Sequence, residues 1–177
     1  ISVTRGAYWL GKSYKALGET KISQKYFQEG SQFLTTYYGQ LSLKELETEP
    51  SINLNENISF TKDYEKNFLK NKFIKIVKIL KELDQTKYSK DVIKHLASLN
   101  IEDGSEILAA RLAVEVERYD YAIQISKKAS YEKRFILKYN YPIISTPREI
   151  NNKIMPSTEL ILAIIRQESE FDRKAYS

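Results

Sequence analysis

The chain has 177 residues, 28 basic against 23 acidic side chains for a net charge of +5, and 42% hydrophobic residues. That is the make-up of one folded domain, or of one domain with part of another, and not of a disordered chain. It has no cysteine and one histidine, His95, which excludes disulfides, thiolate metal sites and cysteine nucleophiles and argues against a histidine zinc centre or a Ser-His-Asp triad, so no metal or cofactor is called for. No apolar run reaches the roughly 18 residues of a membrane span, and no signal-peptide pattern opens the chain; its first residue is Ile1, as expected of a cut or processed piece.

In chain order the apolar positions recur at three and four, the period of helices. Ala7, Leu10, Tyr14 and Leu17 predict a first helix that ends at Gly18, a residue suited to the left-handed position after a helix. Glu19 to about Ser42 reads as a second helix, and Pro50 to Ser59, with Asn53, Asn55 and Asn57, as the clearest loop. Phe68 to Leu83 predicts a third long helix. Val92 to Leu99 predicts a fourth, stopped near Asn100 to Gly104. Ile107 to Val116 and Tyr121 to Ala129 predict a short-linked pair, with a further short helix near Glu132 to Tyr139. Tyr141-Pro142 and Thr146-Pro147 break the run, and no segment alternates well enough to predict a strand.

The first pair carries a repeat signature. Leu10-Gly11, Tyr14, Gly18, Ser23, Phe27 and Gly30 fall at the spacing of a tetratricopeptide repeat, in which small residues let two helices approach and an aromatic fills the gap beside them. Ala109, Ala110, Ala113, Ala122 and Ala129 repeat the theme weakly. The expected fold is therefore all-α: a superhelical, TPR-like array of antiparallel helix pairs over 1–140. Such arrays most often bind proteins or peptides, so protein partners through the repeat are expected.

Much of the net charge is local. Thr61 to Leu99 holds ten lysines against five acids. A basic face suits an acidic polymer. The plain reading of Lys62 to Lys94 is a solvated lysine face, because no interleaving of aromatic and basic residues marks a stacking platform for nucleic acid. No nucleic-acid partner is expected.

The last segment holds the candidate chemistry. Ser157 is a candidate N-cap, with Glu159 in the first turn. On a wheel at about 100° per residue, Glu168 falls between Ile164 and Ile161, in the middle of an apolar stripe that also holds Leu160, Ile165 and Phe171. An unpaired carboxylate among such neighbours is poorly hydrated, which favours its neutral form, the form a general acid needs. Ser169 follows directly as a candidate supporting hydroxyl. On geometry alone a glutamate near a helix end equally well reaches water or pairs with an arginine.

Ala163-Ile164-Ile165-Arg166-Gln167-Glu168-Ser169-Glu170-Phe171-Asp172, followed by Ala175 and Ser177, resembles the opening motif of the soluble lytic transglycosylase family. Arg5 to Gly18 looks like that family's helical repeat region, Thr35 to Leu41 is similar to its T-x-YG-x-L segment, and Tyr141-Pro142 resembles the pair preceding its catalytic domain. The resemblance leaves a divergent middle from about Leu43 to Glu102. It implies cleavage of the β-1,4 bond between N-acetylmuramic acid and N-acetylglucosamine in peptidoglycan glycan strands, with formation of a 1,6-anhydro product, in a periplasm. It implies that Glu168 is the acid and then the base and that Ser169 supports it, while Glu170 and Asp172 need no catalytic role. It also implies that 141–177 is a linker and the first helix of a lysozyme-like domain. The glycine-rich and aromatic motifs that build the family's sugar cleft are not in this sequence, so the chain by itself is expected to have little or no activity. The competing reading is a helical-repeat binding scaffold without catalysis. Under either reading His95 is expected to be half-buried and structural, and the tyrosines and Trp9 to be packing residues.

Overall fold

The computed structural model describes residues 2–46 and 59–175. Among these residues the secondary structure is helical apart from one two-stranded hairpin. The predicted loop at Pro50 to Ser59 lies, but for Ser59, outside the described residues. Two compact units form, one from the described residues up to 46 with 130–133, the other from 59–129 with 134–175.

In the first unit, α1 (Ser2–Ala16), α2 (Thr20–Ser31) and α3 (Tyr37–Glu45) pack together. α1 ends as its sequence predicts. Gly18 takes φ +78°, and the amides of Gly18 and Glu19 bond back to the carbonyls of Lys15 (3.2 Å) and Tyr14 (2.9 Å), which satisfies two orphan carbonyls of the last turn. The small and aromatic positions of the first pair then meet in antiparallel order. The Tyr14 and Tyr26 rings stack at 5.6 Å. Gly11 lies flat against the Phe27 ring, and Gly30 faces Ala7 and Ser42. The Ser23 hydroxyl donates to the Gly11 carbonyl at 2.8 Å inside the interface. α3 is tied back to α1 by Glu45, whose two carboxylate oxygens each accept from an ammonium, Lys12 and Lys15, at 2.9 Å.

The single helix predicted over 19–42 is two helices. Thr36 has extended backbone (φ −110°, ψ 148°), and its hydroxyl accepts from the Gly39 amide at 3.1 Å while donating to the Phe33 carbonyl at 2.8 Å. It is an N-cap placed inside an apolar-periodic run. The long helix predicted over 68–83 divides for the same reason. α4 (Lys62–Leu69) gives way to α5 (Lys72–Glu82) at Asn71, whose side chain accepts from the Phe73 amide at 3.0 Å.

In the second unit a 3-10 turn (Thr86–Ser89) leads into α6 (Lys90–Ser98). Gly104, with φ +84°, turns the chain into α7 (Ser105–Glu115), and α8 (Tyr119–Tyr131) follows. α7 is buried almost all round, which explains its run of Ala109, Ala110 and Ala113 against Phe68, Ile74, Ile93 and Leu96. Its first turn buries a charge, Glu106, only 3% exposed, whose two oxygens are held by the Arg134 guanidinium at 2.9 and 3.0 Å. A buried carboxylate needs such a fork-to-fork partner, since an unpaired charge there would cost several kcal/mol, on the order of 3–5. The short helix predicted near 132–139 is a single turn, α9 (Leu137–Asn140). His95 is exposed, its ring edge-on to Phe73 at 5.5 Å, and the lysines between Lys62 and Lys94 lie mostly at the surface.

No strand is expected from the sequence, but β1 (Glu149–Ile150) and β2 (Lys153–Ile154) pair antiparallel, Glu149 opposite Ile154. Asn151 and Asn152 both take positive φ, 51° and 60°. That is the backbone of a type I′ turn, and asparagine tolerates it better than other side chains. α10 (Thr158–Ser169) closes the described chain.

Candidate active site

α10 begins where its sequence predicts. Ser157 has ψ 148°, and its hydroxyl accepts from the Leu160 amide at 3.4 Å. The inward face of the helix holds Ile161, Leu162, Ile165 and Ser169, all half-buried. Two anchors select that face. The Arg166 guanidinium donates from Nε to the Asn140 carbonyl at 2.8 Å and from Nη2 to the Asn140 side-chain oxygen at 2.6 Å, and lies over the Tyr141 ring at 4.6 Å. After the helix, Glu170 and Phe171 both take left-handed backbone, φ 49° and 65°, a conformation that costs a side-chain-bearing residue roughly 1 kcal/mol or more. Two contacts offset that cost. Glu170 pairs with Lys127 at 2.6 Å, and Phe171 is buried beside Tyr119, their rings 6.2 Å apart.

Asp172, next along, lies 3.9 Å from the Arg118 guanidinium, which is itself forked onto Asp120 at 2.8 and 2.5 Å. That bond to Asp120 holds Arg118 above its already high ordinary range. Glu170 and Asp172 thus act as tethers.

Glu168 is turned the other way. It is exposed, and among the described residues no hydrogen bond or ion pair engages its carboxylate. Leu160 and Ile164, its neighbours two turns and one turn back, are 51% and 52% exposed. The apolar stripe that the wheel places around Glu168 is split in the fold: Ile161, Ile165 and Phe171 are covered, while Leu160 and Ile164 stay exposed with Glu168. The desolvation expected from the wheel is not supplied by the chain's own packing, because Arg166 and Phe171 direct the neighbouring Leu162–Ile165–Ser169 face inward instead. Ser169 follows Glu168 but does not turn toward it, since its hydroxyl donates to the Ile165 carbonyl at 3.0 Å. A cavity of about 190 Å³ lies under α10, between Leu162, Arg166 and Phe171 and the Tyr141–Ile143 stretch. It lies against the Glu159–Leu162–Ala163–Arg166 side of the helix, which the wheel places opposite Glu168.

Among the described residues Glu168, like Glu159 in the first turn of α10, has no partner, and it stands beside the exposed Leu160 and Ile164 on a turn held on either side of it. Such an arrangement can give or take a proton at a ligand laid across those two side chains. Arg166 and Asn140 are the residues that sequence reasoning missed; the partners are 26 positions apart, and nothing local marks Asn140 as an anchor. Among the described residues no cluster of carboxylates and imidazole could hold a metal ion, and no helix is long and apolar enough to cross a membrane. Compared with protein-family models, with curated protein sequences and with solved structures, the chain shows no match.

Proposed function

We propose that this chain is part of a peptidoglycan lytic transglycosylase acting in a periplasm, with α10 as the catalytic helix of a lysozyme-like domain and Glu168 as its acid and base. The observation that carries the reading is the contrast along α10. Arg166, Ser169 and Glu170 are all engaged in holding the helix, and Glu168, between them, has no partner among the described residues and stands beside the exposed Leu160 and Ile164. The dense motif around it has the form expected of that family.

The chemistry follows from one group used twice. The protonated Glu168 gives its proton to the oxygen bridging N-acetylmuramic acid and N-acetylglucosamine as the bond from that oxygen to C1 breaks. The sugar's own acetamido group supports the electron-poor carbon in place of a second carboxylate, as in substrate-assisted glycosidases. The Glu168 carboxylate then takes the proton of the 6-hydroxyl as that oxygen closes on C1, giving the 1,6-anhydro ring. A glycan laid on Leu160 and Ile164 excludes water from around the carboxyl. Ser169 supports by fixing the last turn and not by touching the substrate.

The first unit suits a TPR-like superhelical array, since the Gly11–Phe27 and Gly30–Ser42 contacts are the close approaches that such a repeat uses. The sugar-binding glycine-rich and aromatic segments are not in this sequence, so the 177-residue chain alone has little or no activity. The test is Glu168→Gln in the parent enzyme that carries this chain. Release of anhydro-muropeptides is lost while the far-ultraviolet circular dichroism is unchanged; release at the unaltered rate refutes the reading and leaves a helical-repeat binding scaffold.

A further inference from the structure

A second place in the molecule, on α6, α7 and α8, has the features of a ligand site. Between α6, the turn at Ile101, α7 and α8 lies an open cavity of about 290 Å³. Its floor is apolar, made by Ala97, Ile101 and Ile125. Lys94 and Lys128 also line it, both exposed, and among the described residues neither ammonium has a carboxylate partner. The acid that lines the cavity and the acid that its wall residue Gln124 reaches are both already paired. Glu106 is held by Arg134 through both oxygens, and Glu170 is held by Lys127. Among the described residues Glu106 is the only acid lining the cavity and is already paired, so among the lining groups Lys94 and Lys128 are left without a counter-charge, which suits an anion.

The polar wall groups narrow the choice. Ser98 donates its hydroxyl hydrogen to the His95 carbonyl at 2.8 Å, so its oxygen faces a ligand as an acceptor. Gln124 turns its amide N–H to Glu170 at 3.4 Å, which leaves its carbonyl oxygen as an acceptor. Two cations, two acceptors and an apolar floor match a molecule with a carboxylate, N–H donors and compact apolar groups. We propose that this cavity binds the free carboxylate end of a short peptide with small apolar side chains, its carboxylate between Lys94 and Lys128, its N–H groups on Ser98 and Gln124, and its side chains on Ala97, Ile101 and Ile125. The assignment does not depend on glycan cleavage.

The test is an amide NMR titration of the full chain with N-acetyl-alanyl-alanine and with its C-terminal amide, which keeps every contact except the charge. The acid shifts the amides of Ala97, Ser98, Ile101 and Ile125 saturably, and the amide form binds about tenfold more weakly or worse. The Lys94→Gln, Lys128→Gln double variant loses the same factor with its remaining spectrum unmoved; should that variant fail to fold, the comparison of acid with amide on the unaltered chain decides. Equal binding of acid and amide, unchanged binding by the folded double variant, or no saturable shift up to about 10 mM overturns the proposal. So does inorganic phosphate that saturates the same amides as readily as the peptide, which would leave a simple anion site.

Discussion

Two glycines on α1, five residues apart, respond oppositely to the same substitution. Glycine inside a helix is less favourable than alanine by roughly 0.5–1 kcal/mol, so propensity alone makes both Gly6→Ala and Gly11→Ala stabilising. At Gly6 a new methyl meets nothing within 4 Å, and the full gain of about 0.5–1 kcal/mol is expected. At Gly11 the methyl carbon would stand 2.5, 2.7 and 2.9 Å from three atoms of the Phe27 ring. The ring is 2% exposed and cannot swing aside. The helices must part by about an ångström, an overpacking cost of about 1–3 kcal/mol. Parting them also stretches the 2.8 Å bond from Ser23 to the Gly11 carbonyl, a contribution of about 1 kcal/mol. Setting roughly 1 kcal/mol of propensity gain against these costs leaves Gly11→Ala destabilised by about 1–3 kcal/mol. Trp9 is the only tryptophan and sits on the same helix, so its fluorescence in a urea titration reports this unit. Adding Phe27→Leu to Gly11→Ala makes room for the methyl and recovers part of the loss, a coupling that a double-mutant cycle reads directly. Equal midpoint shifts of the same sign at Gly6 and Gly11 refute the packing argument.

Arg166→Met removes both guanidinium bonds to Asn140 and leaves the buried Asn140 side-chain oxygen without its partner. Bonds of this charged kind contribute about 1.5–3 kcal/mol each, so hydrogen exchange across Thr158–Ser169 accelerates by about tenfold or more; exchange that is unchanged removes Arg166 as an anchor. Glu45 gives the first unit a pH dependence. Its hydrogen bonds to Lys12 and then Lys15 lower its pKa from the ordinary 4.5. A carboxyl whose folded value is depressed adds stability that is present above the unfolded value and is lost as pH falls through the folded one. The urea midpoint read by Trp9 therefore holds above the ordinary 4.5 and drops as pH falls below it, and Glu45→Gln flattens that drop; an equal drop in the variant assigns it elsewhere.

The parts of the fold that were legible were those in which one short stretch decides the outcome. Gly18 ends α1 because a left-handed residue is needed there, and Ser157 opens α10 because its hydroxyl meets the first free amide. The Gly11–Phe27 approach was legible from a pattern of small and large residues. The breaks at Thr36 and Asn71 were not, because each cap sits inside an unbroken apolar period and periodicity is blind to a turn that keeps phase. The hairpin was missed because two-residue strands are too short to alternate; the Asn151-Asn152 pair was the available signal.

At the candidate site, the helix, its cap and the apolar surroundings of Glu168 were legible. Which way that surface faces was not. The apolar band of α10 is wider than the face that is covered, and which part is covered rests on Arg166 reaching Asn140 and on Phe171 being drawn into the second unit's interior.

The left-handed bend at Glu170 and Phe171 has a consequence for the glutamate before it. The last turn of α10 is gripped on both sides of Glu168, two residues upstream by a guanidinium and just downstream by a tether and a buried ring. The main chain carrying the carboxylate is therefore immobilised during folding. When a sugar arrives, only the torsions of one side chain remain to settle, and most of the entropy of alignment has already been surrendered.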